Sequence, residues 1–219
     1  MKTDLELARL FTSGLDWDTI GADTQYEILE LYDETVIIFA ESNSLTDWMI
    51  NLDFPKTAYK RMETTFYAHR GFLKEWKLIE DFFVGFIEDK FERGEDVKPI
   101  TIVGWSYGGA MATLLKESLW FSFPMLRKTT KMITFGSPRS VGFLKFNGVR
   151  ERWNNCTLYR NGFDLVPSIP FLFMGFRHVR KNTQIGEKRC ITKIFKTGKY
   201  HEITSYIESL EVLDTNVKK

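Results

Sequence analysis

The sequence has few of the residues that build metal sites or disulfide frameworks. Its 219 residues include only two cysteines, Cys156 and Cys190, and three histidines, with no pair at the spacing of a zinc site. The N-terminus also lacks the basic start and apolar stretch of a signal peptide. Two cysteines allow one disulfide at most, and without secretion we expect two free or buried thiols. The sequence therefore predicts no metal site.

Long apolar runs and a strong net charge are absent as well. No run approaches the roughly 20 residues that a membrane-spanning helix needs, and the formal net charge of +1 predicts no nucleic-acid partner. Lacking both a signal peptide and a membrane segment, the chain is expected to be cytoplasmic. A protein encoded by a virus or phage and released by lysis is the alternative.

The small net charge conceals an uneven distribution. Residues 1–47 contain eleven acids and two bases, whereas residues 145–199 contain twelve bases and three acids. Two interpretations stay open. The two parts face each other within one fold, or the basic part attracts anionic lipid head groups and gives a transient membrane-surface contact.

What the sequence does contain indicates one globular unit. Hydrophobic residues make up 43% and charged residues 27%, as in soluble domains, and the aromatic fraction of 15% is high enough to line a pocket as well as a core. The length predicts a single domain over residues 1–219.

Apolar patterning predicts strands that alternate with helices. Buried strands are expected at Thr35–Phe39, Ile100–Val103, Met132–Phe135 and Thr157–Arg160, with Ile191–Phe195 as a further candidate. Helices are expected at Leu5–Phe11, at Asp23–Leu31 with Asp23 or Thr24 as N-cap, and at Leu73–Phe91, Ala110–Trp120 and Ile203–Leu213. This alternation favours an α/β fold with a largely parallel sheet.

The segment from Gly104 to Gly108 is the strongest chemical signal. It reads G-W-S-Y-G, follows a predicted strand directly and precedes a predicted helix, which is the context of a nucleophile elbow. Glycines permit the sharp turn that lifts Ser106 to the start of the helix, where the backbone N–H of Tyr107 can donate to an oxyanion. A glycine-rich turn that binds phosphate or only packs is the alternative, although no lysine follows as in a Walker loop.

An elbow serine needs a base and an orienting acid, in the chain order serine, acid, histidine. His69 precedes Ser106, and neighbouring arginines are expected to lower the pKa of His178. Order therefore selects Ser106, Asp164 and His201, with His178 in reserve.

Several short blocks then follow one another from about Val36 to Leu210. They are Phe39–Trp48 with Asn51-Leu52, His69–Phe72, the elbow, Thr134–Arg139, Tyr159–Pro167, Phe176–Val179, and His201 with Tyr206-Ile207. In this order they are similar to the F-R-G-[ST]-x-S-x-x-D-W, H-x-G-F, G-x-S-x-G, F-G-x-P-R, N-x-x-D-x-V-P, aromatic-x-H-V and H-x4-Y-L blocks of the class 3 lipases. The chain thus resembles this fungal-lipase-like branch of the α/β-hydrolases.

The resemblance implies an α/β-hydrolase fold and a serine hydrolase that cleaves carboxylic esters of lipids, with no cofactor. It assigns Ser106 as nucleophile, Asp164 as orienting acid and His201 as base. It also places a second oxyanion donor at Ser42, beside Tyr107. The segment after Ser42 corresponds to the family's lid, with Trp48, Met49, Ile50 and Leu52 as its apolar residues; ordinary packing against the sheet is the alternative.

One departure from the pattern supports a different function. Ala40-Glu41 stands where the family has Arg-Gly, and a carboxylate beside the oxyanion hole disfavours the oxyanion. Loss of one oxyanion donor costs about 2.7–4 kcal/mol. The alternative hypothesis is therefore a lipase-like binding or regulatory protein with little or no turnover. Trp105 and Tyr107 also replace the family's usual His and Leu beside the serine, and these bulky side chains are expected to reshape the substrate pocket.

Overall fold

A computed structural model describes residues 1–40, 56–61, 64–142, 150–187 and 197–217. The helices are α1 (Asp4–Leu10), α2 (Arg70–Glu92), α3 (Tyr107–Ser122), α4 (Thr197–His201) and α5 (Ile203–Val217). The strands are β1 (Asp18–Ile20), β2 (Thr24–Glu30), β3 (Thr35–Phe39), β4 (Lys56–Arg61), β5 (Thr64–His69), β6 (Ile100–Trp105), β7 (Lys131–Phe135), β8 (Val141–Gly142), β9 (Cys156–Asn161), β10 (Phe176–Arg177) and β11 (Thr183–Ile185). Short 3-10 helices lie at Pro124–Leu126, Arg150–Trp153, Val166–Ser168 and Leu172–Met174.

A seven-stranded sheet with the order β1-β2-β3-β6-β7-β9-β11 forms the centre of the fold. Strands β3, β6, β7, β9 and β11 are parallel, while β1 and β2 are antiparallel additions at one edge. The expected α/β fold with a mostly parallel sheet is therefore confirmed. A second, antiparallel sheet with the order β10-β8-β5-β4 was not predicted from the sequence.

Helices cover both faces of the parallel sheet, and β3 illustrates how. All five of its residues are buried. Ile37 and Phe39 belong to the apolar core beneath α2 and α3, whereas Val36 and Ile38 belong to the core beneath α1 and α5. Alternate residues of a strand point to opposite faces, so a strand that is apolar throughout fits a sheet covered on both sides.

Most of the predicted elements are confirmed, including α1, α2, α3, α5 and strands β3, β6, β7 and β9. The helix predicted at Asp23–Leu31 is wrong, because this segment forms β2 and pairs with β3. Its polar start does not cap a helix. The N–H groups of Ala22 and Asp23 and the Thr24 hydroxyl all donate to Glu75 Oε1 on α2, at 2.8, 3.4 and 3.1 Å. The partner of this turn lies about fifty residues away, beyond the reach of local patterns.

Some expectations fall outside the described residues, namely the strand at Ile191–Phe195 and the state of Cys190. Cys156 is a free, buried thiol, and burial raises its pKa to about 11. Among the described helices, none combines the length and apolarity required to cross a membrane. The described residues contain no group of acidic, histidine or cysteine side chains suited to a metal ion.

Candidate active site

Ser106 lies in the turn between β6 and α3. Its backbone has φ 55° and ψ −123°, which makes it the one non-glycine residue with positive φ in the described part of the chain. Such a conformation is strained for a residue with a Cβ atom and persists only where its surroundings impose it. A Cβ atom on Gly108 would lie 2.1 Å from the Phe39 carbonyl oxygen, and one on Gly104 would lie 2.3 Å from the Gly108 carbonyl oxygen. The two glycines therefore allow the tight turn that the elbow pattern predicts.

Ser106, His201 and Asp164 form a continuous chain of hydrogen bonds. Ser106 Oγ lies 2.7 Å from His201 Nε2, and His201 Nδ1 lies 2.8 Å from Asp164 Oδ2. Asp164 follows the carboxyl end of β9, and Ser106 follows that of β6. Because β6, β7 and β9 are parallel, these ends lie at one edge of the sheet. The three residues selected by chain order are brought together there.

The surroundings of Asp164 fix the orientation of the histidine. Asp164 is fully buried, accepts a hydrogen bond from the Val166 N–H at Oδ1 (2.9 Å), and accepts one from the Tyr206 hydroxyl at Oδ2 (2.5 Å). Burial and the charge of Asp164 raise the pKa of Tyr206 well above its ordinary value, so this hydroxyl stays a donor. With Oδ2 as acceptor, His201 donates from Nδ1 and presents a lone pair on Nε2 to the Ser106 hydroxyl.

Sequence reasoning missed the supporting roles of Tyr206, described above, and of Trp105 and Gly136. Trp105 Nε1–H donates to the His201 carbonyl oxygen at 3.0 Å. Gly136, at the end of β7 with φ +63°, leaves room for the pair behind it, since a Cβ atom there would lie 2.8 Å from Asp164 Oδ2 and 2.9 Å from His201 Nδ1. Tyr206 and Gly136 lie within the recognised sequence blocks, but their contacts appear only in the folded structure.

Tyr107 is the first residue of α3, so its N–H lies at the helix N-terminus beside Ser106. Its side chain is buried among other residues, with the hydroxyl 3.4 Å from Thr24 Oγ1 and the ring 5.7 Å from that of Phe72. The other predicted oxyanion donor, Ser42, lies outside the described residues. So do the lid residues predicted from the sequence, Trp48, Met49, Ile50 and Leu52, together with Glu41.

The other two histidines lie elsewhere. His69 is buried at the start of α2, with its ring 4.5 Å from that of Phe72. His178 Nε2 lies 2.7 Å from the Pro167 carbonyl oxygen, to which it donates. Burial is the main reason that the pKa of His178 falls to about 4, and the charges of Arg139 and Arg160 lower it further. The fall was expected from the sequence, but its main cause was wrongly assigned to adjacent arginines. His178 therefore anchors the loop that contains Pro167.

The site is closed to solvent. Ser106 and Asp164 are fully buried, and His201 is 8% exposed.

The fold and site define an α/β-hydrolase with a buried Ser–His–Asp arrangement. The family described as Lipase (class 3) matches residues 36–174, which is more than half of the sequence. The chain belongs to the class 3 lipase family.

Relatives and solved structures agree with this assignment. The chain is similar to a lipase of Rhizomucor miehei, with 26% identity over 74% of this chain. It is also similar to the secreted mono- and diacylglycerol lipase A of Penicillium cyclopium, with 27% identity over 66% of this chain. In both cases it spans 45% of the relative's length. Lipase II from Rhizopus niveus has the same fold, with a TM-score of 0.66 and 22% identity over 78% of this chain and 65% of that structure.

Proposed function

We propose that the chain hydrolyses carboxylic esters of lipids through an acyl-enzyme formed on Ser106. The observation that carries this proposal is the continuous hydrogen-bond chain from Ser106 Oγ through His201 to Asp164, with links of 2.7 and 2.8 Å. A serine hydroxyl is a weak nucleophile on its own, and an adjacent imidazole held by a carboxylate is the arrangement that activates it.

The proposed reaction proceeds in two halves. His201 Nε2 takes the proton of Ser106 as its Oγ attacks the acyl carbonyl carbon, and the resulting imidazolium then protonates the departing alcohol. In the second half His201 removes a proton from water, whose oxygen attacks the acyl-enzyme, and then returns this proton to Ser106. Asp164 Oδ2 keeps its hydrogen bond to Nδ1 and stabilises the imidazolium each time it forms.

The oxyanion of each tetrahedral intermediate needs hydrogen-bond donors. The Tyr107 N–H at the start of α3 is one proposed donor, since it adjoins Ser106 and the positive end of a 16-residue helix. Ser42 is the second, assigned from the family resemblance. Hydrogen bonds from such donors are stronger to the oxyanion than to the carbonyl oxygen of the ground state, so they lower the barrier to forming each tetrahedral intermediate.

The proposed substrates are acylglycerols or phospholipids. Membership of the class 3 lipases supports a lipid ester, as does the name of the related mono- and diacylglycerol lipase A. The basic bias of residues 145–199 favours phospholipid over neutral glyceride. We further propose that Trp48, Met49, Ile50 and Leu52 act as a lid over the acyl pocket.

Hydrolysis of p-nitrophenyl esters, from acetate to palmitate, tests the proposal. We expect turnover by the wild-type chain and its loss in Ser106→Ala, with a fall of about a millionfold in kcat for a triad serine. Rates that rise with acyl length support a lipid-type pocket, whereas a preference for acetate leaves an esterase without one. Equal, negligible rates in two folded proteins contradict the proposal and favour the binding or regulatory protein suggested by Ala40-Glu41.

A fluorophosphonate probe gives a second readout that does not depend on the choice of ester. It labels an activated serine, so we expect labelling of the wild-type chain and none of Ser106→Ala. His201→Gln serves as the matched variant because it keeps a polar side chain but has no imidazole base. Labelling of His201→Gln at the wild-type rate would contradict the assigned base.

A further inference from the structure

The segment Phe171–Phe173 forms an exposed apolar tip. Phe171, Leu172 and Phe173 are 51%, 54% and 86% exposed. The two phenylalanine rings stack with centroids 5.5 Å apart and an interplanar angle of 12°. Neighbouring apolar side chains that remain exposed in this way usually mark a contact surface.

This tip rests on a loop whose backbone is held firmly. Four consecutive carbonyl groups, those of residues 167–170, accept hydrogen bonds from only two side chains and one backbone N–H. His178 Nε2 donates to the first at 2.7 Å, and Arg139 donates to the other three, using Nη1 for residues 168 and 170 and its N–H for residue 169. The backbone that leads into the tip is therefore anchored by Arg139 and His178.

A cationic cavity adjoins the tip. It has a volume of about 720 Å³, and Leu172 of the tip lines it together with Arg139, Arg177, Arg180 and Lys181. The described residues that line it include no carboxylate. Arg180 and Lys181 are exposed. Arg180 donates hydrogen bonds to the carbonyl oxygens of residues 153 and 154, which are neutral acceptors.

The tip and the cavity are tied to the same edge of the sheet as Ser106. The tip begins seven residues after Asp164, on the loop that leaves the carboxyl end of β9. That end lies beside the carboxyl ends of β6 and β7. The Arg139 that supports the loop follows Gly136 by three residues.

We propose that the Phe171–Phe173 tip and the cationic cavity form a docking surface for an anionic phospholipid bilayer. The tip enters the interfacial layer, where aromatic side chains are stabilised, and the cavity receives the phosphate-bearing head groups. Charge complementarity selects this occupant, because an apolar tip flanked by cations matches a negatively charged lipid surface. Docking turns the edge that carries Ser106 toward its substrate. The choice of a lipid surface rests on the proposed function.

Vesicle sedimentation tests the docking surface without hydrolysis if every protein carries Ser106→Ala. The probes are vesicles of phosphatidylcholine alone and of phosphatidylcholine mixed with phosphatidylglycerol. We expect binding to the anionic vesicles, at least about 5-fold weaker with Lys181→Glu, which removes one positive charge and adds a negative one, and about 10-fold weaker with Phe173→Ser. The matched controls are Lys77→Glu and Leu78→Ser on α2, whose side chains are also exposed, and these are expected to leave binding unchanged.

Several results would overturn the inference. They are absence of binding to anionic vesicles, equal binding to both vesicle types, and equal effects of the tip variants and their controls. Self-association that Phe173→Ser abolishes, without vesicle binding, would instead make the tip a contact between copies of the chain.

The docking surface and the proposed hydrolysis can be tested independently of each other. Phe173→Ser and Lys181→Glu in the chain that retains Ser106 are expected to hydrolyse soluble p-nitrophenyl acetate at the wild-type rate. If vesicle binding holds but no Ser106-dependent turnover exists, the docking surface stands and the hydrolase proposal fails. If turnover exists without vesicle binding, the reverse is true.

Discussion

Gly136→Ala tests whether the geometry around Asp164 and His201 governs activity. The added methyl group would lie 2.8 Å from Asp164 Oδ2 and 2.9 Å from both His201 Nδ1 and His201 Cε1, against an ordinary contact distance of at least 3.4 Å. The methyl group must therefore displace the histidine and the carboxylate by about 0.5 Å, directly at their 2.8 Å hydrogen bond. Alanine must also adopt a φ of +63°, which is strained for any residue other than glycine.

The expected loss can be scaled from these distances. A misplacement of about 1 Å in a catalytic arrangement costs on the order of 100-fold in rate, so about 0.5 Å should cost on the order of 10-fold in kcat/KM. The positive φ alone should cost about 1–2 kcal/mol of stability. Gly94→Ala isolates that second effect, because Gly94 has φ +69° and no heavy atom within 4 Å of an added Cβ.

The assay compares Gly136→Ala, Gly94→Ala and the wild-type chain by urea unfolding and by hydrolysis of a soluble p-nitrophenyl ester. Both variants should lose stability, and only Gly136→Ala should lose activity in the fully folded state. Retention of activity within about twofold of the wild type by folded Gly136→Ala would refute the reasoning, since the clash sits on the proposed base and its acid. A comparable activity loss in Gly94→Ala would refute it as well.

Three further predictions concern residues that support the site. The pKa of His178 is about 4 in the folded state and about 6.5 in the unfolded state. Its contribution to the free energy of unfolding is therefore fully present above pH 6.5 and is lost as the pH falls toward 4. In urea titrations between about pH 8 and pH 5, His178→Gln should therefore lose about 2 kcal/mol less free energy of unfolding than the wild type, and equal losses would contradict this linkage. Tyr206→Phe removes the hydroxyl donor to Asp164 and should reduce the free energy of unfolding by about 1.5–3 kcal/mol, with kcat/KM also reduced; unchanged stability would contradict the bond. Trp105→Phe removes the bond to the His201 carbonyl and should cost about 1 kcal/mol of stability in the same titration, whereas a neutral change would show that packing alone holds α4.

The parts of the site that the sequence predicted have either a local pattern or a fixed place in the order of the chain. Ser106 lies in a turn whose glycines, preceding strand and following helix all fall within a short stretch of sequence. The local sequence is therefore enough to predict the elbow. Asp164 and His201 followed from chain order and from the family blocks. In the structure His201 is hydrogen-bonded to Asp164 through Nδ1 and to Ser106 through Nε2.

The parts that sequence did not predict depend on distant partners. The amphipathic pattern of Asp23–Leu31, with a polar start typical of an N-cap, predicts a helix. Glu75 on α2 instead accepts the hydrogen bonds of that start, and the segment forms a strand that pairs with β3. Gly136, Asp164 and His201 come into contact although they lie on segments far apart in the sequence. A local pattern carries no information about such contacts, because they exist only after the sheet has brought its carboxyl ends together.

The glycines at this edge of the sheet couple the stability of the fold to the geometry of the site. A Cβ atom on Gly108 would meet the backbone of β3, one on Gly109 would meet Ser137 Cβ at 2.4 Å, and one on Gly136 would meet Asp164 and His201. Each glycine thus allows a close approach that also sets the position of a proposed reacting group. A larger residue must either move the backbone, which costs stability, or move the side chain, which costs activity. We therefore expect substitutions at Gly109 to lower the free energy of unfolding and kcat/KM together, and a variant with full activity but reduced stability would show that α3 can shift without moving Ser106.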